Sequence, residues 1–228
     1  MKFKSAIITQ ASGSIGGATY AHNQGGLYIR ARSIPTDPAS AYQVAVRNIV
    51  SQLVAAWANT LTTAQRAAWG VYASNVPLTD VFGDPQYRSG INHYVRGNTP
   101  ILQAGLTRVD AGPTTYSLPD FTTPSVGFDA TADEIDVTFD NTDDWANEDD
   151  AAMLVYCSRP QNASKEFFKG PYRYAGKIDG DSVSPPSSPA AIGLPFVCEA
   201  GQKVFALIRV VRADGRLSSP FRGSAVAA

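Results

Sequence analysis

Six acidic side chains within residues 140–150 form the densest group of possible metal ligands in the sequence. Closely spaced carboxylate oxygens are the donors that calcium prefers. The candidate calcium ligands are Asp140, Asp143, Asp144, Glu148 and Asp149, and Asp150 ends the acidic run. The spacing lacks the D-x-[DN]-x-[DN]-G pattern of an EF-hand loop. We therefore favour a solvated loop between two strands over a metal site, with calcium as the competing hypothesis.

The glycine-rich segment at residues 12–17 could hold a phosphate, because glycines let the backbone approach a nucleotide closely. Its spacing is G-x-x-G-G, whereas a dinucleotide-binding loop has G-x-G-x-x-G followed by a helix. Here a strand pattern follows instead, and the sequence contains no G-x-x-x-x-G-K-[ST] motif. The segment is therefore predicted to form turns and bulges, and we predict no cofactor.

Side chains that could perform covalent or acid–base catalysis are few. The sequence has two histidines, His22 and His93, and two cysteines, Cys157 and Cys198, in separate segments. A nucleophile needs a base within hydrogen-bond reach, and no G-x-S-x-G or H-E-x-x-H motif supplies one. We predict no enzyme activity, although a carboxylate pair for glycoside hydrolysis stays open. Buried free thiols are favoured over a disulfide between two strands.

Arginine and aromatic side chains alternate along the N-terminal half, a combination typical of nucleic-acid surfaces and of protein interfaces. A net charge of −1 lacks the basic character of a nucleic-acid-binding protein, so direct nucleic-acid contact is not expected. Charged residues make up 17% of the chain, below the roughly 25% of an average domain, which indicates surfaces covered by partners. The predicted assembly interface comprises Tyr28, Arg30, Arg32, Gln52 and Arg66.

Residues 37–76 carry the strongest secondary-structure signal, two helices joined by a tight turn. Asp37 and Pro38 suit the N-cap and the first helical position. Apolar residues at steps of three and four predict one buried face of the first helix. That face comprises Tyr42, Val46, Ile49, Val50, Leu53, Val54 and Trp57. Thr62 and Gln65 have the spacing of a capping box, which predicts the start of the second helix.

The ends of the helical region are set by proline and glycine. The second helix is predicted to end near Asn75, because Pro77 cannot continue it. A third helix is predicted over about residues 89–103, with a kink or a split at Gly97 and Pro100. Its predicted inward side chains are Ile91, Tyr94, Val95 and Leu102.

The face of the helical hairpin opposite the apolar stripe is small and uncharged. It comprises Ser51, Gln52, Ala55, Ala56, Ala58, Asn59 and Ala67. A solvated helix normally carries charges on its outer face. We therefore expect a neighbouring subunit to cover this face.

Two parts of the chain have the period-two pattern of strands. Residues 1–35 predict a glycine-rich β arm, in which Leu27, Ile29 and Ala31 alternate with Tyr28, Arg30 and Arg32. In the second half, strands are predicted at residues 134–140, 151–157, 167–177, 194–198 and 203–212. Asp214 and Gly215 form a hairpin turn signal. Residues 107–123 are rich in proline, glycine and threonine and are predicted to be a linker.

The helical hairpin resembles a recurring segment in an uncharacterised family of phage- and prophage-associated proteins. The resemblance covers about residues 13–106 and rests on the pattern W-x₃-LT-x₂-QR-x₂-W at residues 57–69. A glycine-rich arm with an arginine-containing strand, Gly25-Gly26-Leu27-Tyr28-Ile29-Arg30-x-Arg32-x-x-Pro35, precedes the hairpin, and Gly90-Ile91-Asn92 follows it. The resemblance implies a bacteriophage protein and carries over no catalytic or binding residue.

Residues 204–220, VFALIRVVRADGRLSSP, resemble the last hairpin of fibronectin type III domains. That resemblance extends over about residues 124–223 and implies a β-sandwich. Together, the patterns predict an α+β fold: an N-terminal β arm and a helical hairpin with a third helix, then an all-β immunoglobulin- or fibronectin III-like sandwich. The predicted domains are residues 1–36 (arm), 37–106 (helices), 107–123 (linker) and 124–228 (sandwich).

These features predict a non-enzymatic virion structural protein of a bacteriophage, in the capsid, neck or tail, assembled in multiple copies. Its expected partners are copies of itself and other virion proteins. No signal-peptide core or membrane-length apolar run occurs, so synthesis in the host cytoplasm and no membrane partner are expected. The alternative is a surface or fibre-associated module that recognises carbohydrate or the host surface, with Trp145, Phe168 and Tyr172 as exposed loop aromatics.

Overall fold

The fold is mixed α+β, as the sequence predicts. A computed structural model describes residues 12–23, 26–34, 36–79 and 83–228, which form three helices and twelve strands in four antiparallel sheets. Residues 4–10 of the predicted β arm, KSAIITQ, lie outside the described residues. The chain divides into two compact units, Met1–Ala41 and Tyr42–Ala228.

The first unit contains a three-stranded antiparallel sheet, the β arm. Its strands are β1 (Gly13–Ile15), β2 (Ala18–Asn23) and β3 (Gly26–Ala31), in the order β1-β2-β3. Gly16 takes a φ of +55° in the turn between β1 and β2, a conformation that glycine adopts without strain. Residues 12–17 thus form a strand and a turn, as predicted for the glycine-rich segment. Within this unit, none of the described side chains is buried.

Helix α1 (Ala41–Asn59) begins later than the sequence predicts. The carboxylate of Asp37 accepts a hydrogen bond from Ala39 N at 3.1 Å, and Ala39 has a φ of +44°. Asp37 therefore closes a turn instead of capping a helix, and the predicted start at Pro38 is wrong. The packed stripe of α1 is centred on Leu53 and Ala56, so Val54, predicted to be buried, is 46% exposed. A step of one residue rotates a helical side chain by about 100°, which carries Val54 off the stripe.

Helix α2 (Thr63–Asn75) has the predicted capping box and ends before Pro77. Gln65 N donates to Thr62 Oγ1 at 3.2 Å, and Thr62 N donates to Gln65 Oε1 at 2.8 Å. The cap satisfies two amides that no helical carbonyl could reach.

Helix α3 (Gly90–Gln103) is continuous through Gly97 and Pro100, so the predicted split is wrong. A Cβ atom at Gly97 would lie 2.2 Å from the carbonyl oxygen of Gly215. Gly97 therefore serves the close approach of a neighbouring turn and does not interrupt the helix. After α2, the short strands β4 (Leu78–Thr79) and β5 (Pro85–Gln86) pair with each other.

The C-terminal half forms two antiparallel sheets with a shared core. One sheet has the order β10-β7-β6 and contains β6 (Ser125–Asp129), β7 (Glu134–Thr138) and β10 (Ala190–Gly193). The other has the order β12-β11-β8-β9 and contains β8 (Ala152–Cys157), β9 (Arg173–Asp179), β11 (Lys203–Val211) and β12 (Phe221–Val226). Gly215, at a φ of +84°, turns the chain between β11 and β12, as the Asp-Gly signal predicts.

Two predicted strands are displaced in the structure. The strand predicted at residues 167–177 begins only at Arg173. The strand predicted at residues 194–198 is wrong, because Ala190–Gly193 forms β10 instead. Leu194 N donates to Asp133 O and Cys198 N donates to Asp133 Oδ1, each at 2.7 Å. These bonds fasten residues 194–198 to the turn between β6 and β7, which leaves them no strand partner.

The core between the two sheets is apolar and contains both cysteines as free, buried thiols. Its largest side chain is Trp145, which is 0% exposed and packs on Phe139 with ring centroids 5.2 Å apart. The favoured prediction of free thiols at Cys157 and Cys198 is therefore confirmed.

Helix α3 packs on the outer surface of the four-stranded sheet. Ile101 of α3 lies in one buried cluster with Ala152, Leu154, Val211 and Leu217. Residues 107–123 contain neither helix nor strand and are held against α3, where Val109 N donates to Asn98 Oδ1 at 2.7 Å. The helices and the sandwich therefore belong to one compact unit, and the four predicted domain ranges stay a prediction. No helix in the described part of the chain is long and apolar enough to span a membrane.

Candidate functional site

The carboxylates of the acidic loop are directed to different protein partners. Asp140 accepts bonds from the amide and hydroxyl of Thr142, and these bonds hold the pKa of Asp140 below its usual value. Asp143 accepts from Thr122 N at 2.9 Å and from Thr122 Oγ1 at 2.8 Å. These bonds close the loop and join it to the segment before β6.

The remaining candidate ligands are also used within the fold. Glu148 and Asp144 pair with Arg212, and Asp149 accepts from Ser182 N at 2.8 Å. Among the described residues, no group of three or more His, Cys, Asp or Glu could hold a metal ion. Asp140, Asp143 and Asp149 each bond a different serine or threonine residue, and Asp144 and Glu148 share Arg212, an arrangement that agrees with the favoured solvated loop, while calcium binding stays an untested alternative.

Trp145 is part of the core, so its predicted role as an exposed loop aromatic is wrong. Its indole Nε1 donates to Asp143 Oδ2 at 3.3 Å. A tryptophan within an acidic run suggested exposure, yet that one bond lets the ring pack inward while the carboxylates stay at the surface. Phe168 and Tyr172 are half-buried, and their ring centroids are 5.1 Å apart.

Burial shifts the pKa values of two candidate catalytic side chains, His93 and Cys157. His93 on α3 is buried against Tyr72, with ring centroids 5.3 Å apart, and burial lowers its pKa, with the charge of Arg96 acting in the same direction. Burial raises the pKa of the Cys157 thiol to about 12. At neutral pH the imidazole is therefore unprotonated and the thiol is not a thiolate.

The pH dependence of stability is expected to report on His93. In the unfolded chain His93 binds a proton as the pH falls below about 6.5, whereas the lowered pKa in the folded protein resists protonation. Its contribution is complete above that pH and is lost as the pH falls towards the folded pKa. Urea unfolding between about pH 7.5 and about pH 5 should show a smaller loss of stability for His93→Gln than for the wild type. The control is His22→Gln at an exposed position of β2, whose stability should change with pH as that of the wild type does. If the stability of His93→Gln also changed with pH as in the wild type, His93 would not be the group responsible.

The predicted interface residues lie on different parts of the chain. Tyr28 and Arg30 lie on one face of β3, and Arg32 N donates to Gly17 O at 2.8 Å beyond the end of that strand. Gln52 is exposed on α1. Arg66 has an internal role, since its Nη1 donates to the carbonyls of Trp57 at 3.2 Å and Ala58 at 3.3 Å and so caps α1.

The outer face of the helical hairpin is exposed and nearly uncharged. Val44, Val54 and Val71 are the large apolar side chains exposed on α1 and α2. The same two helices also expose small or uncharged side chains: Ser51, Gln52, Ala55, Ala58, Asn59 and Ala67. Ala56 was predicted on this face but is buried, because it lies one turn after Leu53 on the packed stripe. We call this surface the outer helical face.

A pocket that was not predicted from the sequence lies where α3 meets the four-stranded sheet. It has a volume of about 290 Å³, and we call it the Arg-Tyr pocket. It is lined by Arg96, Thr99, Pro100, Gln103, Tyr156, Tyr172, Leu207, Arg209 and Leu217. One signal could have revealed it: the period of two places Arg209 between Leu207 and Val211, an arginine in an apolar row.

Two arginines of the Arg-Tyr pocket are substantially buried. Burial lowers the pKa of Arg96 to about 10, and the charge of Arg209 acts in the same direction. Burial also lowers the pKa of Arg209, while Tyr156 opposes that shift and Arg222 on β12 adds to it. Because both guanidinium groups stay charged at neutral pH, the pocket carries concentrated positive charge.

Comparisons of the chain with protein-family models, with curated proteins and with solved structures found no match.

Proposed function

We propose that this protein is a non-enzymatic structural protein of a bacteriophage particle, in the capsid, neck or tail, that assembles in multiple copies. The observation that carries the proposal is the β arm. Its three strands form a compact unit in which none of the described side chains is buried. A small sheet of this kind gains stability when its edges or faces meet another surface. Copies of the chain and other virion proteins would supply that surface.

The outer helical face supports the same role. A surface that exposes valine, alanine, serine and glutamine side chains costs little desolvation when it is covered. Burial of such a face between copies would contribute roughly 25 cal/mol per Å² of apolar area. The resemblance of residues 13–106 to phage-associated proteins supports placing the assembly in a virus particle.

We also propose that the sandwich has a fibronectin III-like arrangement. Two antiparallel sheets of three and four strands enclose one core over about 100 residues, which is the general architecture of this class. The strand orders β10-β7-β6 and β12-β11-β8-β9 support the proposal. Domains of this kind present loops and sheet edges, which suits a repeated surface element of a particle.

Assembly of the purified full-length chain tests the function. We expect discrete multi-copy particles by mass photometry and negative-stain electron microscopy, and we expect removal of residues 1–31 to leave a folded monomer. The core clusters of the described residues all lie in the second unit, so that unit keeps its core without the arm. A full-length chain that stays monomeric at about 100 µM, far above a micromolar dissociation constant, would contradict the proposal.

The alternative function, a carbohydrate- or host-surface-binding module, has one favourable observation. Phe168 and Tyr172 lie close together on the segment before β9, and Tyr172 also lines the Arg-Tyr pocket. With Trp145 in the core, the alternative no longer has the tryptophan that would have been its strongest contact. A glycan array with the full-length protein would decide between binding and no binding.

A further inference from the structure

The Arg-Tyr pocket contains positive charge that the described residues do not neutralise. Arg108, Lys177, Arg212 and Arg216 each form an ion pair with a carboxylate. Arg96, Arg209 and Arg222 are near one another, since Arg209 acts on the pKa of Arg96 and Arg222 acts on that of Arg209. None of these three has a carboxylate partner among the described residues, so an external anion would relieve their mutual repulsion.

The donors of this cluster differ in how they are used. Arg96 Nη1 donates to Leu217 O at 2.8 Å, and Arg96 Nη2 donates to Ser218 O at 3.1 Å. Arg96 is therefore fixed in place by the chain after β11. Arg209 Nε is buried and has no hydrogen-bond partner. A buried guanidinium N–H without an acceptor is costly, and its natural acceptor is an oxygen of a bound anion.

We propose that the Arg-Tyr pocket binds the carboxylate of an acidic monosaccharide, a uronic acid, with Arg209 as the principal donor. A planar carboxylate presents two oxygens that match the edge of one guanidinium group. Arg96 already donates from Nη1 and Nη2 to main-chain carbonyls, so a two-oxygen carboxylate at Arg209 is the anion that we infer, and inorganic phosphate is the competing outcome of the test.

The rest of the lining fits the body of a sugar. Tyr156, Tyr172 and Leu207 offer aromatic and apolar surface for the C–H groups of a pyranose ring. The Thr99 hydroxyl donates to Val95 O at 2.7 Å, so its oxygen and the amide oxygen of Gln103 are the acceptors for the hydroxyl groups of the sugar. A volume of about 290 Å³ is at the lower end for ligand sites and suits one ring instead of a chain of several. The inference goes beyond the assembly role and does not depend on it.

Ligand titration of the full-length protein tests the proposal. The probes are D-glucuronate, D-glucose and inorganic phosphate at pH 7, followed by the change in melting temperature and by isothermal titration calorimetry. D-glucuronate should bind saturably, and D-glucose should bind roughly tenfold more weakly or worse, because it lacks the charge-assisted bond. Binding of D-glucose or phosphate as tight as that of D-glucuronate would overturn the proposal, as would no binding of D-glucuronate at millimolar concentration.

Variants locate the site. Arg209→Gln should weaken D-glucuronate binding by about tenfold. Gln103→Ala, a second variant that keeps all buried charge, should weaken it by about the same factor. The matched control is Arg159→Gln, which removes an exposed arginine that lies over Phe196 outside the pocket. Circular dichroism checks that each variant is folded. Wild-type affinity in both pocket variants, or an equal loss in Arg159→Gln, would show that binding occurs elsewhere.

Discussion

Replacing Gly97 with alanine is expected to lower the free energy of unfolding by about 2–3 kcal/mol. The added Cβ atom would lie 2.2 Å from the Gly215 carbonyl oxygen, a main-chain atom that cannot rotate away. Either α3 or the turn between β11 and β12 must shift, which loosens the contact between the helices and the sandwich. Alanine favours helix over glycine by about 1 kcal/mol, so the expected loss is what remains after that gain. Urea unfolding followed by circular dichroism measures it.

Gly70→Ala is the matched control, since Gly70 is also a helical glycine. It is exposed on α2, and a Cβ atom there would meet no atom within 4 Å. We expect this variant to be more stable than the wild type by roughly 0.5–1 kcal/mol, from helix propensity alone. If Gly97→Ala and Gly70→Ala changed stability in the same direction, the close approach of the Gly215 turn to α3 would be refuted.

Replacing Trp145 with alanine is expected to cost about 3–5 kcal/mol, the range for a fully buried large aromatic side chain. Trp145 is 0% exposed and fills the core beside Phe139. The substitution would leave a cavity between the two sheets and release the bond from Nε1 to Asp143 that closes the acidic loop. Thermal and urea unfolding measure the loss, and a loss of 1 kcal/mol or less would place Trp145 outside the core.

The control for Trp145 is Phe167→Ala on the loop before β9. Phe167 is 72% exposed, so its removal should change stability by less than about 0.5 kcal/mol. The pair separates the two interpretations of an aromatic residue in a polar loop. A ligand-contacting Trp145 would behave like Phe167 in unfolding, whereas a core residue would not.

Local signals in the sequence predict local structure correctly. The capping box of Thr62 and Gln65 and the Asp-Gly turn before Arg216 both involve atoms a few residues apart. Their hydrogen bonds depend little on the rest of the chain. The predicted start of α1 is wrong for a related reason. An aspartate side chain can cap a helix or close a turn, and Asp37 accepts from Ala39 N in a turn.

The failures at Gly97 and Trp145 come from contacts distant in sequence. The sequence predicts that Gly97 interrupts the helix. The structure shows that it gives space to the main chain of Gly215, more than a hundred residues later. The sequence likewise does not show that Arg212, Ser182 and Thr122, all distant from the acidic loop, bind its carboxylates. The Arg-Tyr pocket needs α3, β8 and β11 together, and the sequence signals only one of its members, Arg209 in an apolar row of β11.

The turn between β11 and β12 has a consequence for how this protein can evolve. Gly215 reaches the helical layer, where a Cβ atom on it would lie 3.3 Å from the ring of Trp69, and Arg216 Nη1 donates to Ser117 O at 3.3 Å. A recombination event that exchanged only the sandwich would bring in a turn of another shape and leave Trp69 and Arg96 without their partners. The helices and the sandwich are therefore expected to be inherited together, as one unit of exchange between genomes.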